Sequence, residues 1–484
     1  MSLAKSPTRR QFIKLSAYLG ASAVGAHLLP SPTAAASRER VVIFQGVSLD
    51  SLHPYAYSGG GINGIWLHII EPLIVMDYTR QKYVGVLADS WEFQGRRWIF
   101  QLRRNIRFHN GAPLTAKDVA YSIERMKTDK RSLQGGDIQE LEVETPDDFT
   151  VVFTTKQPLS LLLDRLDTRY IISKSAAEKY GDQADNHAIG TGPYKFISWQ
   201  RGGNLVLARN DDYWGAKAEI KEVILKGVKE EAARVAGLLS GQADVVSNLP
   251  IEEIDRVAKH PRVRVEKVPG FRMYFVAMNV NFKPFDNKLV RQAINHAIDP
   301  AAMIKHIFSG NGEVLNGPLA SNMTGFDPAI KRYAHDPKKA RELLAKAGYP
   351  NGFETKLYFS PDRHLKGREV CEVIRDQLGK VGIKVELAGQ EYAVYWGKDG
   401  VNGGKLPFYY AGRTASDADT FYDQYFHTGI TKRTGYSNPE LDKLIEDQQR
   451  TAELADIDAA MLSDDLPLTA YLDHGFNAYL TRAH

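Results

Sequence analysis

The chain has 484 residues, 43% of them hydrophobic and 25% charged, which suits large apolar cores and excludes extensive disorder. Its formal net charge of +4 rests on Lys5, Arg9, Arg10 and Lys14, because the first 36 residues hold no acid and the remainder balances 58 basic against 58 acidic residues. That balance removes the electrostatic case for a nucleic-acid partner, and the single cysteine, Cys371, excludes an internal disulfide.

The first element is a leader. Thr8-Arg9-Arg10-Gln11-Phe12-Ile13-Lys14 precedes a mild apolar run from Leu15 to Leu29. Pro30 and Pro32 break the run, and Ala34-Ala35-Ala36 supplies an A-x-A cleavage site. This order of basic, apolar and small residues predicts a signal peptide over 1–36, cut between Ala36 and Ser37. The run is too short and weak to anchor the chain in a bilayer. The paired arginines resemble the twin-arginine class, an address read by the twin-arginine export machinery, so a periplasmic location is expected. No cysteine follows the cut, which excludes a lipoprotein anchor at that site.

Strand and helix signals then interleave. Trp98–Leu102, Thr150–Phe153, Val223–Leu225 and Lys384–Leu387 are short runs rich in β-formers. Thr115 with Asp118 reads as an acidic variant of the capping box, with Leu114 and Val119 placed as a staple and Val119, Ile123 and Met126 on one face. A stripe of Leu289, Val290, Ala293, Ile294 and Ala297 predicts a further helix. Asp336-Pro337 opens another, with Ala340, Leu343, Leu344 and Ala347 inward and Gly348 at its end. Asn438-Pro439 repeats that start, with Leu441, Leu444 and Ile445 inward. The alternation predicts a mixed α/β architecture. Val268-Pro269-Gly270 is a candidate boundary.

Five runs carry a resemblance. They are Glu71-Pro72-Leu73-Ile74 through Leu87-Ala88-Asp89-Ser90-Trp91; Phe100-Gln101-Leu102-Arg103 to Phe108-His109-Asn110-Gly111 and on to Val119; Gly190-Thr191-Gly192-Pro193-Tyr194 with Arg209-Asn210 and Tyr213-Trp214; Met278-Asn279 to Ile294; and Tyr436 to Asp442. In this order they resemble the extracytoplasmic solute-binding proteins of ABC importers that include the dipeptide, oligopeptide and nickel binders. The resemblance implies a two-lobed α/β periplasmic-binding-protein fold with an extra subdomain in the first lobe and a cleft closed by a hinge. It places lobe 1 at 37–269 with the subdomain at about 60–185, lobe 2 at 270–465, and a return to lobe 1 at 466–484. The implied role is capture of a peptide or peptide-like solute for an ABC permease and its ATPase, by a monomer with no cofactor and no catalysis. An opine, an oligosaccharide, or an exported hydrolase are the alternatives.

Most motif residues read as fold-forming. Asn110-Gly111 and Gly190–Pro193 are turn chemistry, and Trp91, Trp98 and Trp214 are core candidates. Gly59-Gly60-Gly61-Ile62-Asn63-Gly64 fits a dinucleotide fingerprint by letter, but no convincing strand precedes it and no acid stands at the required distance. Nucleophile-elbow, zincin and phosphate-loop motifs are absent from the sequence. Cys371, beside Val370 and Ile374, reads as a buried thiol, and the 13 histidines show no metal-ligand spacing.

The informative stretch is Tyr409 to Phe421. It resembles the segment of the family in which Gly-Trp precedes an acid-rich loop entering the cleft, where dipeptide binders place an aspartate on the peptide's ammonium. Here Ser416 stands at or beside that aspartate and Arg413 stands at the tryptophan. Asp417 or Asp419 substitutes if the loop shifts. An arginine facing the cleft favours a carboxylate or phosphate, while pairing with Asp417 or Asp419 makes it structural. Tyr410 and Trp396 complete the candidate ligand set, although Trp396 and its neighbours Tyr392 and Tyr395 read rather as lobe core. Asp464-Asp465-Leu466-Pro467-Leu468 arrives early relative to the family, so a shortened C-terminal extension is expected.

Overall fold

A computed structural model describes residues 39–47, 51–56, 64–77, 82–156, 159, 162–268, 270–323, 326–361, 363–414, 418–450, 468–473 and 477–482. The leader, its cleavage site, and the Gly59–Asn63 part of the glycine run lie outside them. None of the described helices is long and apolar enough to cross a membrane. The chain divides into two compact units, Met1–Lys267 with Asn477–His484, and Val268–Phe476.

Among the described residues the first unit contains three sheets. β1 (Arg40–Gln45) is central to the largest, flanked in parallel by β10 (Glu222–Gly227) and β11 (Val245–Val246). β9 (Asn204–Arg209) and β8 (Tyr194–Trp199) continue it beyond β10. β19 (Asn477–Arg482) and β12 (Val263–Val268) continue it beyond β11. Burial on both faces explains the nearly continuous apolar run of β1: Ile43 joins one core with Leu205, Leu207 and Leu225, and Phe44 joins another with Val235, Leu238 and Val246. β2 (Ile74–Asp77) pairs with β3 (Lys82–Gly85). β4 (Ala88–Gln94), β5 (Arg97–Leu102), β7 (Thr150–Thr154) and β6 (Glu142–Glu144) form an antiparallel sheet in that order.

The helix Ala116–Thr128 begins where the capping signal predicts, with Leu114 and Val119 both buried. Asp118 is its anchor: it accepts bonds from Thr115 N at 2.9 Å and Lys174 N at 2.9 Å. The Thr115 hydroxyl donates to Asp118 at 3.0 Å, so the acid gathers more of the turn than the sequence pattern suggests.

The first and third motif runs meet at one buried carboxylate. Glu71 is 4% exposed and accepts from Tyr213 OH at 2.6 Å, Thr191 Oγ1 at 2.8 Å and Trp214 Nε1 at 2.9 Å. Burial pushes its carboxyl up to about 7, against the pull of these three donors. Beside it, His109 accepts from Gly190 N at 3.3 Å and donates from Nε2 to Gly192 O at 3.0 Å. Burial lowers His109 to about 4, keeping it neutral for this bridge. Gly190 and Gly192 are required by close approach, since a Cβ on either would lie 2.0 or 2.5 Å from a backbone carbonyl oxygen. These motif residues thus tie distant segments of the first unit together.

The second unit is built on one sheet. Its order is β14 (Glu313–Val314), β18 (Leu468–Asp473), β13 (Arg272–Met278), β17 (Phe408–Thr414), β15 (Glu354–Phe359) and β16 (Lys384–Gly389). Met273, Phe275 and Ala277 of β13 meet Tyr409, Ala411, Phe421 and Tyr425 in an aromatic core. The predicted helices appear as Lys288–Ala297, Pro337–Lys346 and Pro439–Arg450, with Asp336 and Asn438 accepting first-turn N–H bonds. The expected return over 466–484 is revised: β18 pairs with β13 in the second unit, and β19 alone rejoins the first unit beside β11. Strand pairing, not sequence position, sets that division.

Candidate functional site

The topology of the second sheet singles out one end. β15 lies between β16 and β17 and runs parallel to both. The chain leaves β15 through the helix Gly367–Gly379 to reach β16 on one side, then returns through the helix Tyr392–Trp396 to β17 on the other. A reversal of strand order of this kind leaves a crevice outside the carboxyl ends of the strands, where ligands bind. Those ends are Phe359-Ser360 and Arg413-Thr414, with Arg272 at the start of antiparallel β13 directly opposite Thr414.

Arg272 organises one face of this end. It donates from Nη1 to Thr414 Oγ1, from Nη2 to His364 Nδ1 and from Nε to Tyr274 OH, each at 3.1 Å. His364 is 5% exposed, and burial with the nearby Arg272 and Arg363 lowers it to about 3. It is therefore neutral, with its proton on Nε2, and that nitrogen is buried without a hydrogen-bond partner among the described residues. Its ring meets Tyr274 and Tyr410 edge-on at 5.3 and 5.6 Å, and those two tyrosines stack at 6.0 Å. Gly412 makes room: a Cβ there would lie 2.6 Å from the Tyr274 ring.

The predicted site residues separate across β17. Tyr410 is 1% exposed on the Arg272 face, and its backbone carbonyl accepts from Tyr395 OH at 2.6 Å. It forms the wall behind the strand end. Arg413 is half-buried on the opposite face, close enough to Tyr425 to oppose the upward shift that burial gives that phenol. Trp396 packs on the same aromatic core, with the Arg433 guanidinium 5.4 Å from its ring centre and 5.2 Å from that of Tyr425. Arg413 and Trp396 therefore share the Tyr425 neighbourhood. Ser416 and Asp417 lie outside the described residues. Asp419 is placed only by its backbone, in the helix Ala418–Tyr425.

Arg272, Tyr274, His364 and Thr414 were not evident from sequence. The available signals were weak: Arg272 follows the predicted boundary at 268–270, and His364 sits in a strand-to-helix loop. Among the described residues no group of three or more His, Cys, Asp or Glu side chains is placed to hold a metal.

Two units, each with an open mixed sheet, define a two-lobed periplasmic binding-protein fold. The family model described as bacterial extracellular solute-binding proteins, family 5 Middle, matches residues 82–433. The chain belongs to that family of extracellular solute-binding proteins. A shorter model, for a protein of unknown function, matches 442–482. The chain is 31% identical over 457 residues to the glutathione-binding protein GsiB of Pectobacterium atrosepticum, covering 91% of this chain and 88% of that protein. It is similar to DppA from Helicobacter pylori, solved in complex with the peptide STSA, at 27% identity and a TM-score of 0.71, over 92% of this chain and 94% of the other. AgaA from A. tumefacien R10, in complex with agropinic acid, gives 27% identity and a TM-score of 0.70 over 92% and 93% of the two chains.

Proposed function

We propose that this chain is an exported binding protein that captures a small peptide or peptide-like solute bearing a carboxylate and delivers it to an ABC permease. The observation that carries this is the position of Arg413. It stands at the carboxyl end of β17, at the reversal of strand order, the kind of position at which open α/β sheets bind ligands. A guanidinium suits a carboxylate by its planar, always-charged fork, and this one lies near the Tyr425 ring. GsiB is named for glutathione, and DppA and AgaA were solved with a peptide and with agropinic acid; all three compounds carry carboxylates. Asp417 and Asp419 follow in the same stretch and suit the ammonium of a peptide, and Ser416 suits a neutral polar group.

The transporter's ATPase supplies the energy of uptake, so the binding protein needs no nucleophile or base. The leader reading belongs to this proposal: the twin-arginine route exports the chain, cleavage after Ala36 releases it, and it works as a periplasmic monomer. N-terminal sequencing of secreted protein tests the cut.

The decisive assay is a thermal-shift screen of mature protein from Ser37 with dipeptides, glutathione, agropinic acid and oligosaccharides. At a hundredfold excess over Kd a true ligand adds about 2.7 kcal/mol. Stabilisation by carboxylated peptide-like compounds, lost in Arg413→Ala, is expected. Stabilisation by oligosaccharides alone, or by nothing, contradicts the proposal.

A further inference from the structure

The first unit has a concave surface of its own. A groove of about 880 Å³ is lined by Gln101, Arg104, Asn105, Phe149 and Trp214, with Arg103 and Asp89 at one side. That volume lies within the roughly 300–1,000 Å³ that small-ligand sites occupy. Two guanidinium groups border it, each over an aromatic ring: Arg103 at 5.7 Å from the Trp214 centre and Arg104 at 4.5 Å from the Phe149 centre.

The two arginines differ in what they have left to offer. Arg103 is engaged by Val86 O at 2.7 Å, Gly85 O at 3.4 Å and Asp89 at 2.6 Å. Arg104 is exposed and makes no hydrogen bond or ion pair among the described residues. Asp147 does not neutralise it by contact, because its oxygens take Phe149 N at 2.7 Å and the Thr150 hydroxyl at 2.8 Å. Arg104 is thus a cation resting on a ring with its N–H donors unused. Trp214, another lining residue, is fixed in place, since it donates its indole N–H to the buried Glu71.

We infer that this groove is an accessory site for a small carboxylate-bearing solute, anchored by Arg104, with Gln101 and Asn105 as polar contacts and Phe149 and Trp214 as walls. All of its lining residues belong to the first unit, whereas Arg413 belongs to the second. Citrate and glutathione are the probes. Calorimetric titration of intact mature Arg413→Ala protein removes the proposed primary anchor and isolates this groove. Saturable one-to-one binding is expected. Arg104→Ala in that background weakens it about tenfold or more, the share of one charge-assisted hydrogen bond, without moving the thermal transition. Arg104→Lys retains part of the affinity, because charge survives while the planar fork is lost. Non-saturable heats, or an equal Kd in Arg104→Ala, overturn the inference. Binding by wild type that disappears in Arg413→Ala alone assigns the probe to the second unit and likewise overturns it.

Discussion

Replacing Glu71 probes the node at which the first and third motif runs meet. In Glu71→Ala the Thr191 and Tyr213 hydroxyls and the Trp214 indole N–H lose their common buried acceptor. Each stranded donor costs about 1–3 kcal/mol, and neighbouring losses are not additive, so about 3–5 kcal/mol is expected in total. That lowers the first unit's transition by ~10 °C. Glu71→Gln is milder. Its amide oxygen can serve Thr191 and Trp214 while its NH2 donates to the Tyr213 oxygen, and the cost falls to about 1 kcal/mol. The two forms also differ in pH dependence. Glu71 has a carboxyl raised from 4.5 to about 7 by burial, so the folded state holds a proton that the unfolded chain has released. Its stabilising contribution is greatest below pH 4.5 and is lost as pH rises toward about 7, by up to about 3 kcal/mol. The glutamine cannot titrate, so the transition temperature of Glu71→Gln relative to wild type should rise across that window. Scanning calorimetry at several pH values reads both effects. A pH-independent difference between the two proteins, or an alanine variant within about 2 °C of wild type, would refute the reasoning.

Gly412→Ala places a Cβ 2.6 Å from the Tyr274 ring and 3.0 Å from His364 Cε1, so it should cost about 1–3 kcal/mol and weaken solute binding, read by thermal shift with and without ligand. Asp129 is held well below the ordinary carboxylate range, first by its bond to Arg131 and also by His53, so its stabilisation is present above pH 3.8 and is lost as pH falls below that value. Asp129→Asn should therefore destabilise at pH 7 and converge on wild type in acid, measured by thermal melts along a pH series. Tyr395→Phe deletes the buried bond to Tyr410 O and should cost about 1 kcal/mol by chemical denaturation, with solute affinity nearly unchanged.

The sequence is most legible where structure is local. The starts at Thr115, Asp336 and Asn438 are set by side chains within three residues of the helix, and each predicted start coincides with an observed helix. The family motifs are also legible, but what they assemble is not: Glu71 and Tyr213 meet across 142 residues of chain. The same holds at the site, where Arg272 and Thr414 are again 142 apart and come together only through the register of β13 against β17. Strand alternation further divides residues that sequence proximity groups, sending Tyr410 and Arg413 to opposite faces of β17. The C-terminal division was missed because β18 is defined by its partner β13 and carries no boundary signal of its own.

The proposed solute site lies at the carboxyl ends of β15 and β17 in the second unit. Hydrogen exchange followed by mass spectrometry, on mature protein with and without the most stabilising solute from the screen, tests it most directly. Slowed exchange is expected in peptides covering 359–366 and 408–421, reduced in Arg413→Ala. Protection confined to the first unit, or absent from both segments while the solute is bound, would contradict it.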